Sequence, residues 1–203
     1  MTHHTHHLFH RDTHNDQPHH PEHSGARIAL GKITPIQGET LIVTSPAIDL
    51  EGRIDPAYSA DERGPSPQIE WSPVEGAGAF ALIVEDPDAP QDEPYVHWLI
   101  WNIPAESLGL PKGVAHETPL MTPQHAVQAK NDSGTIGWFG PKPPAGHGVH
   151  HYHFQLFALD GPLTLHPLET DVRILTDAIK GRTVASGEVV GTFEVKDTAP
   201  GEG

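Results

Sequence analysis

The chain has 203 residues, room for one globular core with appendages, and its 21 Pro and 20 Gly call for many turns and few long helices. A formal net charge of −15 argues against nucleic acid or an anionic membrane surface as partner, since both are held by clustered Lys and Arg, and the absence of Cys excludes disulfides, thiol nucleophiles and thiolate metal sites. No run approaches the roughly 18 apolar residues of a transmembrane helix, and the N-terminus lacks the apolar segment of a secretory signal, so a soluble, cytoplasmic protein is expected.

The first 23 residues hold nine of the 17 histidines and almost nothing that could enter a core. Residues 1–26 therefore read as a disordered His-rich tail able to hold Zn, Ni or Cu loosely, with residues 27–197 as the folded domain and 198–203 as a flexible C-terminus. From Arg27 onward, short β-type runs are separated by Pro and Gly. The expected strands are Ile28–Ile33, Leu41–Thr44, Gln68–Trp71, Phe80–Glu85, Val96–Asn102, His150–Leu159 and Val189–Val195. Their spacing leaves no regular helix between them, which predicts a mainly β protein with antiparallel pairing. The stretch Ala60–Ser66 has the composition of an exposed loop. One helix is predicted near Asp171–Lys180: Thr170 or Asp171 can cap it, Val172, Leu175 and Ile179 share a face, and Gly181 can end it.

Three segments can carry chemistry. Phe80–Glu85 runs into Asp86-Pro87-Asp88-Ala89-Pro90, where prolines of fixed φ restrict the direction of each carboxylate. In Tyr95–Pro104, strict alternation places His97, Leu99 and Trp101 on one strand face. In Gly137–Tyr152 a Pro/Gly loop feeds a strand, with His150 and Tyr152 on one face and His151 and His153 on the other. An imidazole beside a phenol offers a switchable cation and a neutral donor, a combination suited to phosphate oxygens.

Together these segments resemble the phosphatidylethanolamine-binding family, and more narrowly its bacterial Raf-kinase-inhibitor-like branch (YbhB/YbcL). The resemblance rests on the DPDAP box at Asp86–Pro90, the HW-x-x-x-NIP strand at His97–Pro104 and the GPxPP-x-G-x-GxHxY box at Gly140–Tyr152, with weaker agreement over roughly Arg27–Lys196. It implies a Greek-key β fold of two antiparallel sheets with a short C-terminal helix and a small anion-binding cavity near the ends of the central strands. Residue by residue it carries the ligand pocket onto Asp86, Asp88, Pro90, His97, Gly140, Pro141, His150 and Tyr152. It further implies a phospholipid head group, phosphate or similar anion as ligand, no cofactor, and compatibility with a homodimer and with control of a kinase or protease partner through the pocket. Two departures stand out: His151 replaces the Arg common in the family box, and the Gly64–Pro67 turn lacks the Asn often found there.

Physically, a carboxylate beside an imidazole fixes the ring's tautomer and favours its protonated form, so Asp86 is expected to pair with His97 or His150 and turn the other ring N–H toward the ligand. Two bare carboxylates would repel an anion, so Asp86 is expected to organise donors and not to touch phosphate. A hydrolase is the enzymatic alternative, but no G-x-S-x-G elbow and no cysteine supply a nucleophile. Asp132-Ser133-Gly134-Thr135 matches the aspartic-protease motif in a single copy only. A metal enzyme could draw ligands from His97, His147, His150, His151, Asp86 and Asp88, against which stands the opposite facing of His150 and His151 on a strand. Neither catalysis nor a resident metal is expected.

Overall fold

The computed structural model describes residues 27–38 and 40–198; the tail expected over 1–26 and the C-terminal stretch from residue 199 lie outside the described residues. Among the described residues the strands are β1 (Val43–Thr44), β2 (Ile69–Trp71), β3 (Ala79–Asp86), β4 (Tyr95–Pro104), β5 (Gly109–Leu110), β6 (Val127–Gln128), β7 (His150–Leu159) and β8 (Thr183–Phe193), with one α-helix, α1 (Val172–Ile179), between the last two. They form two antiparallel sheets, one of three strands in the order β1-β2-β5 and one of five in the order β6-β4-β3-β7-β8. The expected mainly β class with a short C-terminal helix is what the chain adopts.

β3 is buried along its whole length because both faces of the five-stranded sheet are covered, which explains its unbroken apolar run. On one face Phe80, Leu82, Val84, Trp98, Ile100, Phe154 and Leu156 pack against Val43, Ile69, Trp71 and Leu110 of the smaller sheet. On the other, Ala81, Ile83, Leu99, Trp101 and Phe157 pack against Leu175 and Ile179 of α1 and against Ala29 and Ile33. Each fully buried large apolar side chain contributes roughly 1.5–3 kcal/mol. One polar group within the core ties a loop to it, whereas the Nε1–H groups of Trp101 and Trp138 are buried without a hydrogen-bond partner among the described residues. The Trp98 Nε1–H donates to Gln128 Oε1 at 2.7 Å, while Gln128 Nε2 donates to the carbonyls of Ala115 and Glu117, fastening the loop before β6.

Several expected elements change. Ile28–Ile33 is not a strand but a 3-10 turn, Ala29–Lys32, because side chains of the central strands satisfy its backbone. Ala29 N–H donates to Glu85 Oε2 and Leu30 N–H to Gln155 Oε1, leaving no need for a ladder. The Leu41–Thr44 run enters the small sheet only at Val43–Thr44, and β8 begins at Thr183 instead of Val189, its first half disguised by Ser186, Gly187 and Glu188. β7 matches its expected bounds. α1 starts one residue after its cap, Asp171, whose Oδ1 accepts the Ile174 N–H at 2.8 Å. The Ala60–Ser66 loop is exposed at its tip, but it ends on Ser66, whose buried hydroxyl accepts the Val114 N–H.

Candidate functional site

At the C-terminal end of β3 the chain must turn, and Asp86 makes the turn. Its Oδ1 accepts the Asp88 N–H at 2.8 Å, an Asx-type closure, and its Oδ2 accepts the Nδ1–H of His150, the first residue of β7, at 2.7 Å. Both side chains are almost fully buried. Of the two expected partners it is His150, not His97, that Asp86 holds.

Asp88 does different work. Its Oδ2 accepts both the backbone N–H and the Nδ1–H of His151, at 2.8 and 2.9 Å, tying the same turn to the opposite face of β7. Histidine thus makes a hydrogen bond to Asp88 at the position where the family box commonly carries Arg.

His97 reaches the site through a departure from strand regularity. Val84 pairs with Trp98 and Glu85 with Val96, so His97 is an extra residue in β4, a β-bulge. The bulge overturns the expected alternation: Leu99 and Trp101 face the helix, whereas His97 lies with Trp98 on the other side, its ring 5.0 Å from that of Tyr152 and 6.3 Å from that of Trp138. The His97 Nδ1–H donates to the Phe139 carbonyl at 2.6 Å, and the Phe139 N–H donates back to the His97 carbonyl. Burial pushes the His97 pKa down from 6.5 to about 4, against the opposing pull of the Phe139 carbonyl and Asp86. The ring is neutral at neutral pH, so its Nε2 offers a lone pair. Burial, reinforced by Asp86 and Asp88, pushes the Tyr152 phenol up, so it keeps its proton as a donor.

These groups border a cavity of about 300 Å³, walled by Asp86, Pro90, Tyr95, His97, His150 and Tyr152 and closed on the loop side by Phe139, Lys142, Pro143 and Pro144. The volume suits a head group or a free anion, at the small end of ligand sites. Five of the eight expected pocket residues, Asp86, Pro90, His97, His150 and Tyr152, come together here. Asp88, Gly140 and Pro141 are off the wall. Gly140 packs its backbone directly on the Tyr58 carbonyl, where a Cβ has no room, and the Pro141 carbonyl accepts the Ala60 N–H; both contacts set the loop's path. Sequence reasoning missed Tyr95 and Lys142. Tyr95 follows from His97, because the bulge shifts the phase of the strand end; Lys142 was visible as the one cation inside the Pro-rich box.

One contact departs from expectation. His150 Nε2 does not face the cavity with a free N–H: it lies 2.7 Å from Nδ1 of His147, an exposed residue three positions earlier. Gly146 and Gly148, with φ of +73° and +92°, reverse the chain on either side of His147 and fold its ring back over His150.

A larger groove of about 690 Å³ runs along the end of β8; of its two cations, Arg53 and the exposed Lys196, Arg53 is held by Asp49 and Glu51 at 3.0 and 2.8 Å, all exposed. It holds no buried polar group aimed at a ligand, and the smaller cavity is the better candidate. The Asp132–Thr135 motif is a loop device: Asp132 Oδ2 accepts the Val96 N–H at 2.8 Å, and Asn131 Oδ1 accepts the Ser133 N–H and hydroxyl.

Comparison with known proteins agrees with this fold. Residues 44–194 match the family model described as phosphatidylethanolamine-binding protein. A UPF0098 protein of Pyrococcus abyssi is 37% identical over 160 residues, covering 78% of this chain and 88% of the relative, and one of Methanothermobacter thermautotrophicus is 40% identical over 148 residues, covering 72% and 94%. Among solved structures, E. coli YbcL, described as a new member of the mammalian PEBP family, superposes with a TM-score of 0.71 at 30% identity, covering 78% of this chain and all of that one.

Proposed function

Because this chain belongs to the phosphatidylethanolamine-binding protein family, we propose that it binds a small phosphate-bearing anion, free or as a lipid head group, in the cavity bordered by His97, His150 and Tyr152, and that it acts as a binding protein and not as an enzyme. The observation that carries the reading is the buried Asp86–His150 hydrogen bond at the cavity wall. It holds an imidazole where protonation creates a charge-assisted donor, while Asp86 spends both oxygens on protein N–H groups and presents no bare carboxylate to the ligand. The protonated Tyr152 phenol adds a neutral donor, and at the mouth stands Lys142, whose exposed ammonium lies 3.6 Å from Asp61 Oδ1. Against catalysis stands the fate of His150 Nε2: the nitrogen that would activate a nucleophile meets His147. Control of a kinase or protease would follow from the same pocket if its occupancy stiffens the Pro-rich loop that forms one wall.

The test is calorimetric titration with inorganic phosphate and O-phosphoethanolamine. His150→Ala is expected to weaken binding roughly tenfold to a hundredfold, the loss of one charge-assisted hydrogen bond. His151→Ala, on the Asp88 side of β7, is expected to leave it unchanged. Equal losses in both variants, or none in either, would place the ligand elsewhere.

A further inference from the structure

We propose that His147 sets the protonation state in which the pocket accepts an anion: it holds the position at His150 Nε2 that a ligand oxygen must take, and yields it when the two imidazoles gain protons. The inference rests on the anion-pocket reading above and assigns its regulation.

The argument is one of hydrogen counting. Asp86 accepts the His150 Nδ1–H, so in neutral His150 the Nε2 carries only a lone pair. The 2.7 Å separation from His147 Nδ1 then requires exactly one hydrogen between the two nitrogens. With both rings neutral, that hydrogen belongs to His147. One added proton can be shared without opening the contact. A second puts hydrogens on both nitrogens and like charges on both rings, and the contact cannot survive. His147 is the exposed partner, flanked by Gly146 and Gly148 in the left-handed region, so it is the ring free to leave. His150 is then left with Nε2–H directed at the cavity.

The other groups facing this pair do not remove the requirement. From β3 comes Asp86, already engaged; from β4 the neutral His97; from β7 the phenol of Tyr152; from the loop Lys142. The C-terminal segment brings the Asp197 carboxylate against Gly146, the residue before His147. Binding of an anion should therefore draw protons from solution. His147 determines how many, and at what cost in affinity, because the ligand displaces a hydrogen bond.

The experiment titrates the full chain with inorganic phosphate at about pH 7.5 and about pH 5.5, on either side of the ordinary histidine range. It compares the unaltered protein with His147→Ala and with His147→Asn, whose amide can cap Nε2 in either orientation but takes no proton. At the higher pH His147→Ala should bind roughly threefold to tenfold tighter, the range spanned by one net hydrogen bond. At the lower pH the difference should vanish. His147→Asn should bind as weakly as the unaltered protein at the higher pH and keep its deficit relative to His147→Ala at the lower one. Imidazole 15N shifts should report the Nδ1···Nε2 hydrogen bond in the unaltered protein and its loss in His147→Ala. Weaker or unchanged phosphate binding in His147→Ala overturns the proposal, as does a gain of the same size at both pH values. Absence of phosphate binding by all three proteins at both pH values is the separate outcome that removes the anion pocket itself, and the gate with it.

Discussion

Glu85 and Asp86 are neighbours on β3, each only 2% exposed, and they serve opposite faces of the same sheet. Glu85 turns to the helix face, where Oε2 accepts the Ala29 N–H at 2.9 Å and Gln155 Nε2 at 2.8 Å. Asp86 turns to the cavity and meets an imidazole. Burial raises the Glu85 pKa, and two neutral amide donors together with Lys32 and His153 offset that only in part. A buried carboxyl held by amides is therefore a lock for the 3-10 turn before β1. A buried carboxyl held by a titratable ring fixes a tautomer and leaves the ring able to change charge. The difference lies in the partner and not in the depth of burial.

The contrast can be broken most sharply at Asp86. Asp86→Ala orphans two buried donors, the Asp88 N–H and the His150 Nδ1–H, at roughly 1–3 kcal/mol each, so chemical denaturation should show a loss of about 3 kcal/mol together with loss of phosphate binding. Retained binding in a folded Asp86→Ala protein would mean that His150 needs no fixed tautomer.

His97 gives a second, pH-dependent handle. Its folded pKa lies below its unfolded value, so between pH 6.5 and about 4 the unfolded chain takes up the proton first and stability is lost as pH falls through that window. The slope for this one group is at most about 1.4 kcal/mol per pH unit. In His97→Phe, denaturation curves across the window should show a shallower acid loss than in the unaltered protein; parallel curves would show that His97 is protonated in the folded state.

Glu85→Gln should have the smallest effect. Its carbonyl oxygen can still accept from Ala29 and Gln155, so stability should shift by less than about 1 kcal/mol and phosphate binding should be unaffected. The sign of the residual effect follows from the raised pKa: above 4.5 the unfolded chain releases this proton before the folded one, so the native Glu85 loses stability as pH rises and the Gln variant should lose less. A variant that unfolds or loses ligand would place Glu85 in the site and erase the distinction between the two faces.

Much of this arrangement was legible in the chain because local rules agree with tertiary ones there. β7 could be read residue for residue, since its alternation turns His150 and Tyr152 one way and His151 the other, and the Asp-Pro-Asp turn fixes which carboxylate meets which ring. The helix was legible from its cap and its apolar stripe. What stayed hidden depended on non-local partners. Ile28–Ile33 has strand composition but is held by the side chains of Glu85 and Gln155, far along the chain. His147 lies in a loop of Pro and Gly, where no periodicity says which way a ring points, and only the two left-handed glycines bring it onto His150. Asp88, Gly140 and Pro141 carry the family motif yet stand off the cavity wall, because a motif records backbone needs as well as contacts.

The extra residue in β4 has a consequence for how this site can be transplanted. Because this bulge shifts the phase of everything before it, both Tyr95 and His97 border the cavity only while β4 keeps its extra residue at His97 relative to β3. A graft that copies the two side chains onto a regular strand would deliver them to the helix side, among Ala81, Ile83 and Leu175. The portable unit is thus the extra residue in β4 relative to β3, and deletion of Val96 would turn His97 out of the pocket without replacing any residue of its wall.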